Sequence, residues 1–181
     1  PEAFVNLLAF LGWNPGTEQE VFDINQLIDA FSLKRVGKSG AKFDPDKARW
    51  YNQQHLRLQP EETLTARLVS DLKEKGIEAD SKVAAKVCSL VKEKAHFESE
   101  LVDYAIIFFQ SPEEFDAKVI EKKWNDTAKG YFRELGQNLA KSEWNAGSIE
   151  STFKATADSQ GISPGSVMQL FRVLISGQPG G

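Results

Sequence analysis

Cysteine and histidine are nearly absent from this chain, and their scarcity removes whole classes of chemistry. Its 181 residues hold one cysteine, Cys88, and two histidines, His55 and His96. A single thiol closes no internal disulfide, and one cysteine with two widely separated histidines does not make a zinc site. Cys88 and His96 stand about two helical turns apart, too far to form a nucleophilic pair on one helix. Cys88 falls on an apolar helical stripe and reads as a small core residue, in keeping with a reducing cytoplasm. Long apolar runs are missing too. Nothing approaches the roughly 18 residues of a membrane span, and no cleavable signal is read at the start. Period-two alternation and Asn-Gly hairpin turns are also lacking, which argues against strands.

Positive charge is absent where it would be easiest to miss. The formal net charge is −4, a value that argues mildly against binding nucleic acid. Residues 1–33 carry five acids (Glu2, Glu18, Glu20, Asp23, Asp29) and no lysine or arginine. Residues 34–57 reverse this, with seven bases against Asp44 and Asp46, a net +5. Residues 98–116 return to six acids and no base. Charge segregated in this way can offer a basic face to a phosphate backbone while the remainder repels it. A solvated lysine-rich loop is the plainer alternative.

What is present is helical punctuation. Phe4 to Leu11 is apolar almost throughout and stops at Gly12, before the turn Trp13-Asn14-Pro15-Gly16. Asp23 is placed to cap a short helix holding Leu27, Ile28 and Phe31. Asp44-Pro45 is an acid N-cap followed by proline at the first helical position. Pro60 opens a helix with Leu64, Leu68 and Leu72 on one stripe and Gly76 as its stop. Asp80 or Ser81 begins another, with Val83, Val87, Leu90 and Val91 at helical spacing. Residues 101–109, apolar on all sides, predict a buried helix, and Ser111-Pro112 predicts the start of the next. Trp124, Ala128, Tyr131, Phe132, Leu135 and Leu139 form a further stripe. Ser148 and Ser163-Pro164 start the last two helices. The expected architecture is all-α, built of helical bundles with short links. Breaks divide it into residues 1–58, 59–115 and 116–181.

No set of side chains assembles into a catalytic centre. The acid pairs Glu61-Glu62 and Glu113-Glu114 read as first-turn residues complementing a helix dipole. Gly37-Lys38-Ser39 resembles the tail of a phosphate-binding loop, but the glycine required five residues earlier is Ser32. The segment from Arg35 to Gln54 carries the most information: a basic loop with two glycines, a helix start at Asp44-Pro45, then Lys47, Arg49 and the pair Trp50-Tyr51. Gly37 and Gly40 would let backbone amides approach a phosphate. Lys38, Lys42, Lys47 and Arg49 supply charge, and Trp50 reads as helix packing ahead of base stacking.

The same segments resemble the bacterial-type glutamyl-tRNA synthetases. The resemblance runs through Pro1 to Gly16, Gln19 to Phe22, Lys38 to Ala41, Phe43 to Lys47 and Trp50 to Asn52. It resumes at Gly161 to Gly165, Met168-Gln169 and Leu170-Phe171-Arg172. Residues 60–150 match in helical pattern and length. This resemblance implies a stem-contact domain at 1–58, touching the inside of the tRNA L, and a two-part helical anticodon-binding region after it. It also implies ATP-dependent joining of glutamate to tRNA by a catalytic fold upstream of Pro1. This stretch by itself would then be inactive and without a cofactor, ATP belonging to the parent enzyme. The implied partner is tRNA(Glu), with no DNA or membrane role, for a cytoplasmic monomer. The family normally runs on past Gly181 with further helical segments.

Two residues carry over for anticodon contact. Arg172 matches a family arginine beside the anticodon loop, where a guanidinium stacks on or bonds to a splayed base. A last-turn arginine complementing its helix dipole is the rival explanation. Lys94 aligns with a position that is usually arginine and reads the third anticodon base; lysine keeps the charge and loses the fork. A non-discriminating synthetase that also serves tRNA(Gln), and a helical protein–protein module without RNA binding, are the alternatives.

Overall fold

The computed structural model describes residues 1–38, 40 and 42–180. Ser39 and Ala41, within the Lys38–Ala41 run, and Gly181 lie outside the described residues. The chain divides into two compact units, Pro1–Phe109 and Gln110–Gly181. Ten α-helices occur among the described residues, with one isolated bridge, Trp13 to Val36, as the only extended pairing there.

In the first unit α1 (Glu2–Phe10) and α2 (Ile24–Ala30) precede a 3₁₀ turn at Leu33–Arg35. Asp23 accepts from the Gln26 amide while the Gln26 side chain accepts from Asp23 N–H, a reciprocal cap that sets the start of α2. The Asp44 carboxylate accepts from Asp46 and Lys47 amides and launches α3 (Pro45–Leu58), with Pro45 in the first turn. α4 (Glu61–Glu74) and α5 (Ser81–Val91) follow, the latter capped by Asp80. α6 (Leu101–Ala105) closes the unit with a 3₁₀ turn, Ile106–Phe108.

Two cores share α3. Tyr51 packs with Ala3 and Leu7 at its first half. Leu56 packs with Leu64, Leu68, Leu72, Val87 and Cys88 at its second. Cys88 is fully buried, and burial pushes its thiol upward, away from the reactive thiolate.

The second unit holds α7 (Ala117–Lys123), α8 (Asp126–Leu139), α9 (Ala146–Ser159) and α10 (Pro164–Ser176). Asp116, Asn125 and Asn145 cap the first three through side-chain bonds. Tyr131, Leu135, Phe153, Ala157 and Val167 form the core, with the Tyr131 hydroxyl donating to the Phe153 carbonyl at 3.0 Å.

Three expectations from the sequence are corrected. Residues 101–109 do not form one buried helix: α6 stops at Ala105, and Tyr104, Ile107 and Phe108 are exposed. No helix starts at Ser111-Pro112, because that segment lies against the end of α10. There Asp116 N–H donates to the Gly177 carbonyl at 2.9 Å. Gly177 sits at φ 78°, and a Cβ on it would come within 2.6 Å of the Glu114 carbonyl oxygen. Trp124 is not on the α8 stripe; it ends α7, yet its ring still stacks on Phe132.

Candidate nucleic-acid interface

The basic loop is anchored at its root. Arg35 donates through its guanidinium to the Pro15 carbonyl and lies against Gly16, whose φ of 75° favours glycine. Gly37 N–H donates to the Gly12 carbonyl at 2.7 Å, beside the Trp13–Val36 bridge. These bonds hold residues 35–37 against the turn after α1 and leave Lys38 and Lys42 exposed beyond them. They also correct one expectation: the Gly37 amide is occupied by Gly12 and is not presented to a phosphate.

The four basic residues predicted here have two different fates. Lys38, Lys42 and Arg49 are exposed and form no ion pair with a described acid. Lys47 is engaged: its ammonium lies 3.5 Å from Glu20 and over the rings of Phe10 and Tyr51, at 5.9 and 5.8 Å. Burial, with the Glu20 charge second, pushes the Tyr51 phenol up to about 12, so it stays neutral beneath the lysine. Residues two apart on a helix point to different sides, and Lys47 and Arg49 obey that rule. Trp50 packs against Tyr51 edge-on at 5.0 Å and is half-buried, as the packing reading expects.

One neighbour escapes a reading of the motif by charge alone. Phe43, between Lys42 and the Asp44 cap, is half out in solvent at 51%. An exposed ring beside a lysine offers a stacking surface for a base. Its signal was available: a phenylalanine in a loop with no apolar periodicity around it.

α3 also fastens the turn that carries Lys94. Gln53 and Arg57 donate to the Glu93 carbonyl at 3.2 and 2.8 Å, and Arg57 pairs with the Glu93 carboxylate at 2.9 Å. Asn52 donates to the His96 carbonyl. Lys94, between these two anchored residues, is itself exposed and unpaired among the described acids. Arg49 and Lys94 are therefore held by one helix, although they lie 45 positions apart in the sequence.

Arg172 belongs to the second unit. It is exposed on α10, on the side away from buried Val167, Leu170 and Val173, and pairs with no described acid. No basic residue occupies the last turn of α10, so the dipole explanation for Arg172 loses its footing. A free guanidinium on a rigid helix remains. Among the described residues no three His, Cys, Asp or Glu side chains gather to hold a metal ion, and no helix is long and apolar enough to cross a membrane.

The family described as "Anticodon binding domain" matches residues 54–181. The chain belongs to this family. The stretch matched starts inside α3 and runs through both Lys94 and Arg172. Over 178 residues, 98% of the chain, it is 41% identical to a glutamate–tRNA ligase of Flavobacterium johnsoniae, covering 35% of that protein. A glutamate–tRNA ligase of Amoebophilus asiaticus is 38% identical over 182 residues, covering the whole chain and 36% of the relative. The crystal structure of a glutamate tRNA ligase from Elizabethkingia meningosepticum, in complex with its amino acid, superposes with a TM-score of 0.89 at 34% identity. It covers 100% of this chain and 36% of that one. The chain thus spans about a third of the length of the curated relatives it matches.

Proposed function

We propose that this chain is the tRNA-recognition part of a glutamate–tRNA ligase, an enzyme that joins glutamate to tRNA(Glu) with ATP. One observation carries the reading. Relatives named as glutamate–tRNA ligases align with 98–100% of the chain, and an anticodon binding family covers all of it after residue 53. On this reading the chain positions tRNA and does no chemistry, and ATP is used elsewhere in the enzyme. Residues 1–58 contact the stem, and residues 59–115 and 116–181 are two helical parts of the anticodon-binding region. The protein works as a cytoplasmic monomer.

The exposed bases divide the labour. Lys38, Lys42 and Arg49, with Phe43 beside them, meet the sugar-phosphate backbone, where charge matters and base identity does not. Arg172 and Lys94 meet single-stranded anticodon bases, where a guanidinium can stack or bond an edge. Lys47, held by Glu20, contributes least. A helical interaction module with no RNA role accounts for the acidic balance but not for membership of an anticodon binding family.

The test is an anticodon exchange. A tRNA(Glu) transcript and the same transcript carrying the tRNA(Gln) anticodon differ by one base there, and a third transcript carries an unrelated anticodon. The chain is expected to bind the first more tightly than the third, with the preference reduced in Arg172→Ala. Equal affinity for all three would remove anticodon reading from these residues. Equal affinity for the first two, with discrimination against the third, would assign the chain to a non-discriminating enzyme.

A further inference from the structure

Lys94 stands in a turn between α5 and a short 3₁₀ helix at Glu98–Glu100. Surface connections of this kind are ordinarily mobile. This one is tied down along its length. The Lys94 and Ala95 amides donate to the Val91 carbonyl at 3.0 and 3.2 Å, and the His96 amide donates to the Glu100 carboxylate at 2.7 Å. Ala95 is fully buried, in the same core as Leu56 of α3. The bonds from Asn52, Gln53 and Arg57 end on the Glu93 and His96 carbonyls, one on either side of Lys94. α3 therefore grips the turn from outside while Ala95 anchors it from within.

The same contacts decide the charge of the turn. Three acids lie within six residues of Lys94, namely Glu93, Glu98 and Glu100. Each is drawn elsewhere. Arg57 pairs with the Glu93 carboxylate at 2.9 Å, and the Gln59 side chain donates to Glu98 at 2.7 Å. Glu100 accepts from the His96 and Phe97 amides. Two of these partners, Arg57 and Gln59, belong to α3 and its C-terminal cap. Lys94 pairs with no described acid, so its ammonium stays available to a ligand. Arg49 lies one turn before Asn52 and Gln53 on the same side of α3 and is also unpaired. One helix of 14 residues thus carries one free cation and fixes another.

We infer that α3 is a positioning helix for tRNA recognition: Asn52, Gln53 and Arg57 hold Lys94 in place and keep its neighbouring acid off it, so that it discriminates between anticodon bases. A lysine is a point charge on a flexible four-carbon stem, so its selectivity must come from the backbone that carries it. Fixing that backbone before RNA arrives removes an ordering cost from binding. The three α3 residues act through Lys94 and touch no RNA themselves. The inference rests on the reading of Lys94 as an anticodon contact and adds what makes that contact selective.

The neutral double substitution Asn52→Ala and Gln53→Ala tests this in the 181-residue chain, with Lys94→Ala and Arg57→Ala beside it. Hydrogen exchange read by mass spectrometry is expected to quicken several-fold at residues 92–97 in the double variant and to stay unchanged across α8 and α9. Binding is then compared for a tRNA(Glu) transcript and the same transcript carrying an unrelated anticodon. Lys94→Ala should reduce the preference several-fold. The double variant should match it while keeping the native salt slope, because it removes no cation. Arg57→Ala reaches the same loss by a second route, freeing Glu93 to neutralise Lys94, and carries the comparison if the double variant fails to fold. Arg57→Lys keeps a charge beside Glu93 and should retain part of the preference. Native exchange in the double variant overturns the inference. So does a native preference there when Lys94→Ala has lost it, which leaves Lys94 as an anticodon contact. A native preference in Lys94→Ala overturns it too and assigns the discrimination to Arg172. A native chain that binds both transcripts equally refutes the anticodon reading itself.

Discussion

Residues 1–33 and 34–57 lie in one compact unit and differ in almost every surface property. The first carries a charge of −5 and exposes phenylalanine, leucine and isoleucine; the second carries +5 and exposes lysine and arginine. Whole-chain net charge averages the two to near silence. Their seam is built from specific groups. The buried Asn6 side chain donates to the Glu20 carbonyl at 3.0 Å and accepts from Phe22 N–H at 2.8 Å. His55 of α3 reaches the same Asn6 oxygen at 3.1 Å, and Lys47 of α3 reaches Glu20. A small unit can thus present an apolar and a basic surface side by side, with a buried polar hub at Asn6 joining the segments that carry them.

Removing the basic side should disturb this balance most severely. Deleting one phosphate-binding cation costs roughly tenfold in affinity near 0.1 M salt, from a slope of about 0.9 per neutralised phosphate. Lys38→Ala, Lys42→Ala and Arg49→Ala together should weaken tRNA binding by about two to three orders of magnitude and flatten the salt dependence. Fluorescence anisotropy against salt concentration measures both. Neutralising Glu18 and Asp29 to their amides should change affinity less than about twofold, because both are exposed, neither pairs with a described base, and salt screens exposed charges.

Next comes the hub. Asn6→Leu strands the Phe22 amide, the Glu20 carbonyl and His55 at once, and should cost about 2–4 kcal/mol in chemical denaturation. A cost of under half a kilocalorie would mean that the two faces do not depend on it.

A smaller effect is expected from acid. Burial lowers the proton affinity of His55 below its ordinary value of 6.5, against a weaker opposing pull from Glu2. The unfolded chain therefore takes up the proton first as pH falls through about 6.5. The contribution of neutral His55 is complete above that pH and is lost on acidification until the folded-state value is reached. Denaturation midpoints between pH 7.5 and 5 should fall for the native chain and fall less for His55→Gln.

Among the basic residues, least affected should be Lys47→Ala. Its charge is already answered by Glu20 at a half-exposed position, so tRNA affinity should drop no more than about threefold, well below the drop for Arg49→Ala. Equal drops would show that the Lys47–Glu20 pair opens to meet RNA.

Much of the fold was legible because helix starts are local. Asp23, Asp44-Pro45 and Asp80 each begin a helix through a side-chain cap, and Pro164 in the first turn starts α10 without a cap bond from Ser163. Ser111-Pro112 misled because the residue it lies against, Gly177, is 65 residues later than Pro112. The apolarity of 101–109, broken by Asp103, marked a helix but could not say which side would be covered. In the candidate interface, charge segregation pointed to residues 34–57, where the structure leaves Lys38, Lys42 and Arg49 exposed. What it could not give was occupancy: Glu20 is 27 residues from Lys47, and Gly12 is 25 from Gly37. Nor could spacing reveal that α3 ties down the turn bearing Lys94, since those bonds join residues 36 to 44 apart.

A basic face that binds tRNA despite a net charge of −4 must show itself in the salt dependence of binding. Titrating labelled tRNA(Glu) with the chain at about 50 and 200 mM salt is the most direct check. The expected result is saturable binding at the lower salt that weakens by at least a hundredfold at the higher, as several released counterions require. Absence of binding at the lower salt, or binding indifferent to salt, would contradict it.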